Sequence, residues 1–327
     1  MRSTLKPAAR RILQLASRFL PNVYRAALFG LLLVALRTHA QTNNPAQAGK
    51  SKATQNSEDS ADEREPCPGK RRKTGEASFR EYTVRTYRYP NLLGCVVISR
   101  DGKPVYKRVG MVFQIGGSPD FPLEGKKDLL TPMGRDVTGL GLPDLVIGEW
   151  TGGAHCCFLS HIFELGPKKL RRVATINAEH SDRAHFEDID HDGQLEFLMN
   201  DWTFAYWHTG FMQSPAPDLI LRFRDGKFRL ALDLMRKPSP KDEVLAHLAN
   251  DIAAKWDSFE QGPPHEFWGE ILDLIYSGNA GRAWKFAEQC WPREKDGKQE
   301  FMRDFRNQLG QSPHWEGLRE LNGPDLK

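Results

Sequence analysis

The chain has 327 residues, enough to bury a substantial core in one or two domains. Its formal net charge is +4, from 46 Lys/Arg against 42 Asp/Glu, but seven of the basic residues lie in residues 1–40 beside no acidic residue, so the remainder is slightly acidic. That distribution leaves no basic stripe in the body of the chain and argues against a nucleic-acid partner.

Residues 1–40 read as an export signal. Ala26 to Leu36 is an apolar run between Arg25 and Arg37. It is too short for a membrane span, which takes about 20 residues, and Thr38-His-Ala40 supplies a small-residue cleavage site. Retained instead of cleaved, this segment is the only expected membrane anchor. From Gln41 to Ser78 there is no Val, Ile, Leu, Met, Phe, Tyr or Trp, so the segment cannot offset its ordering entropy by burial and is expected to be a disordered linker. The expected location of the mature chain is periplasmic or extracellular.

From 79 to about 236 the pattern alternates with period two. Tyr82 to Tyr89 reads as a strand. Cys95-Val-Val-Ile-Ser and Pro104-Val-Tyr-Lys flank Asp101-Gly102, and Leu219 to Arg224 and Lys227 to Ala231 flank Asp225-Gly226. Both read as hairpins on primed turns. Asp144 to Trp150, Phe158 to Leu165 and Leu170 to Ile176 add further strands. From 239 to 327 the period changes to 3.6, with apolar faces at Val244/Leu245/Leu248/Ile252/Trp256, Phe267/Trp268/Ile271/Leu272/Ile275, Ala283/Trp284/Phe286/Ala287/Trp291 and Phe301/Met302/Phe305/Leu309. The expectation is an α+β chain, a β-rich domain over 79–236 and a small α-helical domain over 239–327.

The most informative stretch is Asp188-Ile-Asp-His-Asp-Gly-Gln-Leu-Glu196. Carboxylates at alternating positions on a tight loop turn their oxygens to one centre, which suits a hard cation such as Ca²⁺, and Gly193 permits the turn. An acidic surface turn gives the same letters. An EF-hand does not fit, because its twelfth position falls on Met199. A sister stretch lies 52 residues upstream: Asp136 aligns with Asp188, Gly141 with Gly193, Asp144 with Glu196 and Trp150 with Trp202. A period near 50 suggests repeated supersecondary units.

At these residues the chain resembles the FG-GAP/VCBS-type repeats of integrin-like β-propellers. The resemblance covers roughly residues 90 to 235 and implies two to three propeller-blade-like units, of which the one near 93–115 is partial. It implies one Ca²⁺ held by Asp188, Asp190, Asp192, the carbonyl of Gln194 and Glu196. In the sister loop of Asp136, Thr138 and Asp144, Thr138 and Leu140 replace the middle aspartates, so that loop is expected to bind no ion or to bind one weakly.

The aromatic insert after Trp202, with Phe204, Tyr206 and Trp207, is a candidate surface for a protein or glycan partner. Its rings equally suit a cover for an open sheet edge or a dock for the helices. The chain lacks the GxSxG, HExxH, P-loop and dinucleotide fingerprints. The expected function is therefore an exported, calcium-stabilised binding or scaffold protein. The alternative is an exported hydrolase using Glu149, Asp201 and the His155 region. Of the five cysteines, adjacent Cys156 and Cys157 allow a strained vicinal bridge, but on a strand they would face opposite sides, and separate fates are expected.

Overall fold

A computed structural model describes Cys67 and residues 69–119, 130–154, 156–256 and 262–326. The expected signal over 1–40 and the linker as far as residue 66 lie outside the described residues. Twelve strands form three four-stranded sheets, and in each sheet every strand pairs antiparallel with its neighbour in sequence. The first holds β1 Arg72–Phe79, β2 Tyr82–Arg88, β3 Gly94–Arg100 and β4 Lys103–Gly110. The second holds β5 Val112–Ile115, β6 Asp144–Trp150, β7 Phe158–Leu165 and β8 Leu170–Asn177. The third holds β9 His185–Glu187, β10 Glu196–Asn200, β11 Asp218–Arg224 and β12 Lys227–Leu230. Six helices follow: α1 Leu232–Met235, α2 Asp242–Ala253, α3 His265–Tyr276, α4 Ala280–Cys290, α5 Lys298–Leu309 and α6 Trp315–Asn322. The architecture is α+β, antiparallel sheets followed by a helical region.

Both expected hairpins form. Asp101 and Gly102, and Asp225 and Gly226, all have positive φ, the signature of the primed turn that matches strand twist. The first sheet departs from expectation. Its β1 occupies residues assigned by composition to the linker, and the unit is a full four-stranded sheet where a partial one was expected. The reason is that β1 is an edge strand with mostly exposed side chains. Backbone pairing to β2, from Arg72 opposite Arg88 to Phe79 opposite Tyr82, orders it without apolar side chains. Cys67 and Cys95 form a disulfide that ties the residues before β1 to β3.

Strand β6 is buried on both faces. Leu145 and Ile147 pack with Tyr82, Val84, Val96 and Ile98 of the first sheet. Val146, with Phe158 and Ile162 of β7, joins a second cluster containing Phe197 and Leu221 of the third sheet. The second sheet is therefore the middle layer. That second cluster also contains Phe267, Trp268, Phe286 and Phe305, so the helices and the third sheet share one apolar core. The switch from period two to period 3.6 near 236–239 thus falls within a continuous core, and all described residues belong to one unit, Glu58–Lys327.

The middle strand is also crossed by backbone. Gly116 donates its amide to Val146 at 2.8 Å. A Cβ on Gly148 would stand 1.9 Å from the carbonyl oxygen of Gly117. Because that obstacle is backbone, no rotamer change relieves it. Gly148→Ala should cost at least about 2 kcal/mol, at the upper side of overpacking effects, read as a lowered urea midpoint at unchanged m-value.

Candidate functional site

The two acidic loops have the same hydrogen-bond frame. In the upstream loop the Gly141 amide donates to Asp136 Oδ2 at 2.7 Å, and the Val137 amide donates to Asp144 Oδ2 at 2.9 Å. In the downstream loop the Gly193 amide donates to Asp188 Oδ2 at 3.1 Å, and the Ile189 amide donates to Glu196 Oε2 at 3.2 Å. Gly141 and Gly193 both have positive φ, the backbone condition for closing the loop. The loops also touch, since Arg135 Nη2 donates to the Gly193 carbonyl at 3.2 Å.

They satisfy their carboxylates differently. In the upstream loop Asp136 Oδ1 accepts the amides of Thr138 and Gly139, and the Thr138 hydroxyl lies 3.0 Å from Asp144 Oδ2. Thr138, in place of a middle aspartate, closes the loop by hydrogen bonding. Asp144 is buried, and its second oxygen has no partner. Burial pushes its carboxyl up to about 6, against hydrogen bonds from Val137 and Thr138 that act to lower it.

In the downstream loop, oxygens of Asp188, Asp190 and Glu196 lie within 4.8 Å of one another. The buried Asp188 Oδ1 has no hydrogen-bond partner among the described residues. Asp192 is outside this group; its Oδ1 accepts the Gln194 amide at 2.8 Å. A residue that the sequence reading missed reaches the cluster. Arg222 of β11, itself buried, donates from Nε to Glu196 Oε1 at 2.7 Å, from Nη2 to Asp190 Oδ2 at 2.9 Å and from Nη1 to Asp233 Oδ2 at 3.0 Å. The available signal was a cation within the apolar strand Leu219–Phe223, on the strand that pairs with Glu196's own. The Asp188 oxygen and the converging carboxylates fit a hard cation, while Arg222 already neutralises the Glu196 side of the cluster.

Glu149 and Asp201, also 52 residues apart, are equivalent in the repeat and are not gathered into a shared cleft. Glu149 lies 2.8 Å from His161 Nε2 and accepts Arg108 Nε of the first sheet at 2.8 Å. Burial acts to raise its carboxyl, but the hydrogen bonds from His161 and Arg108 outweigh this and hold it below its usual value. Asp201 Oδ2 accepts the hydroxyls of Tyr276 on α3 at 2.7 Å and Ser312 at 2.6 Å. Each carboxylate thus ties its sheet to the neighbouring layer. His155, the third member of the hydrolase alternative, lies outside the described residues.

The aromatic insert divides in two. Phe204 is buried against Phe305, and half-buried Trp207 packs on Trp268, Phe301 and Phe305, so these two rings dock the helices. Trp202 stacks on Phe211 at 5.1 Å, and His180 meets both edge-on. Tyr206, 56% exposed, leans on Phe211, and Met212 is 87% exposed. Tyr206 and His208 both have positive φ, uncommon for bulky residues.

Cys156 and Cys157 depart from expectation. They are paired with each other through a cis peptide. They precede β7, which begins at Phe158, so strand alternation does not separate them. Cys290 is buried and free, and burial pushes its thiol up to about 12, which keeps it protonated and unreactive. Among the described residues no helix is long and apolar enough to cross a membrane. No family model, curated protein or solved structure matches the chain.

Asp144 sets a pH dependence. A buried carboxyl raised from 3.8 to about 6 binds more protons folded than unfolded between those values. It costs nothing below about pH 4, and stability falls as pH rises to about 6, by at most about 3 kcal/mol at 1.36 kcal/mol per unit. Asp144→Asn should flatten the wild-type decline between pH 4 and 7 in chemical denaturation; parallel profiles for the two proteins would refute it.

Proposed function

We infer that the chain is an exported, non-enzymatic binding protein whose partner surface is the loop after Trp202. The observation that carries this reading is the aromatic shelf: Tyr206 and Met212 project from a Trp202–Phe211–His180 stack held by left-handed backbone on a rigid sheet. Stiff rings with polar edges give contact area at low entropic cost and suit a protein or glycan partner. The commitment of Glu149 and Asp201 to ties between layers supports the binding reading over the hydrolase. The Cys67–Cys95 pairing supports an oxidising compartment.

In this reading the sheets are blade-like repeats of FG-GAP/VCBS type, supported by the matched frames of the two loops. The converging carboxylates Asp188, Asp190 and Glu196 bind one Ca²⁺, and the upstream loop of Asp136, Thr138 and Asp144 binds none or binds one weakly. The ion stiffens the third sheet beneath the aromatic shelf, and Arg222 remains on Glu196.

Calorimetric titration with Ca²⁺ should show a single site, lost in Asp190→Ala. At a hundredfold excess over Kd the ion should add about 2.7 kcal/mol of stability. Absence of heat in the wild-type protein would reject the calcium site and leave Arg222 as the counter-charge of Asp190 and Glu196.

The shelf is tested separately. Tyr206→Ala with Met212→Ala should change stability by no more than about 0.5 kcal/mol, as for exposed residues. Phe204→Ala should cost about 3–5 kcal/mol. On a glycan array and in crosslinking with the native secretome, the double variant should lose every partner that the wild-type protein captures. Retention of those partners would refute the shelf.

A further inference from the structure

The third sheet has a second feature, independent of the calcium loop and the aromatic shelf. The register pairs Leu198 with both Ile220 and His185, which places these side chains on one face, opposite to Phe197, Leu221 and Phe186. Over that face, α1 and α3 leave a cleft of about 620 Å³. Its volume and partly apolar lining are those of a site for a small organic ligand and far exceed the room a bare metal ion needs.

Acidic and basic side chains both line the cleft. Glu270 and Asp273 stand three residues apart on α3, hence on one helix face, and Asp218 of β11 stands near Asp273. Arg183 and His185 line the β9 side, and Lys237 stands after α1. Asp218 accepts Asn200 Nδ2 at 3.0 Å. The side-chain carboxylates of Glu270 and Asp273 make no hydrogen bond or ion pair with any described residue. Burial and then the neighbouring Asp273 hold Glu270 above its usual value. Burial and then Asp218 do the same to Asp273, and Lys237 offsets this only in part. The two carboxylates stand beside an apolar floor on one helix face, where a cation would be favoured.

We propose that this cleft binds a small organic cation, a primary amine on an apolar stem, with the ammonium against Glu270 and Asp273 and the stem over Leu198 and Ile220. The stem explains the apolar floor, which a hard metal ion would not use. The carboxylates on α3 orient the ligand, with its cationic end towards that helix.

The test is calorimetry on the full chain with 1-hexylamine, 1-hexanol and hexanoate. The amine should bind at least about tenfold more tightly than either analogue, the factor that corresponds to about 1.4 kcal/mol. The isosteric pair Glu270→Gln with Asp273→Asn should erase that preference. Leu234→Lys, on the short helix α1, places an ammonium at the cleft and should abolish amine binding should the isosteric pair fail to fold. Asp190→Ala should leave amine binding intact, which separates this site from the calcium loop. Equal binding of hexanol, no binding of the amine, an unchanged preference in the isosteric pair, or displacement of the amine by millimolar Ca²⁺ would each overturn the proposal.

Discussion

The structure depends on a middle sheet that has no free face. Because β6 is buried on both sides, a polar group along it is satisfied from within the protein or, like Asp144 Oδ1, left unpaired at a cost. Its two acidic residues, Asp144 at the start and Glu149 near the end, are each buried at 3% exposure or less. They meet the demand in different ways. Asp144 gathers backbone amides and a hydroxyl from its own loop. Glu149 draws on the next layer through Arg108 and on its own sheet through His161. The third sheet repeats the scheme with Glu196 and Asp201, and its outward ties run to Tyr276 and Ser312 in the helical region. Two internal copies of one strand thus stack different neighbours by the same device, a buried carboxylate at the strand end.

The divergence of the two acidic loops follows from what each has available. Thr138 brings a hydroxyl and an amide to the carboxylates of its loop, and no further charge is needed. Asp190, at the matching position, brings another negative charge, and the chain supplies a guanidinium from the partner strand of the hairpin. Removing a counter-charge from a buried carboxylate leaves that charge uncompensated, which is why such sites change as sets and not one residue at a time.

Much of this was legible in the sequence. Hairpins announced themselves through Asp-Gly pairs, the matched frames of the two acidic loops through their offset of 52, and the helices through their apolar faces. Strand β1 was not, because an edge strand ordered by backbone pairing carries no apolar pattern. The three-residue β9 is too short for periodicity to register. Helix α6 has only eight residues, and its burial rests on Leu318 and Leu321. In the candidate site the carboxylates were visible because they are adjacent in the chain, whereas Arg222 was not, since its role depends on strand pairing. The fates of Phe204 and Tyr206, two residues apart, depend on which ring meets the helices, and local sequence carries no such information.

The reach of Arg222 has a consequence for the order in which the chain assembles. Glu196 is fully buried, and its charged partner lies 26 residues nearer the C-terminus. Until β11 pairs with β10, that carboxylate lacks the counter-charge of Arg222, and desolvating it alone is unfavourable. Burial of Glu196 is thereby coupled to the β10–β11 pairing that brings the guanidinium to it.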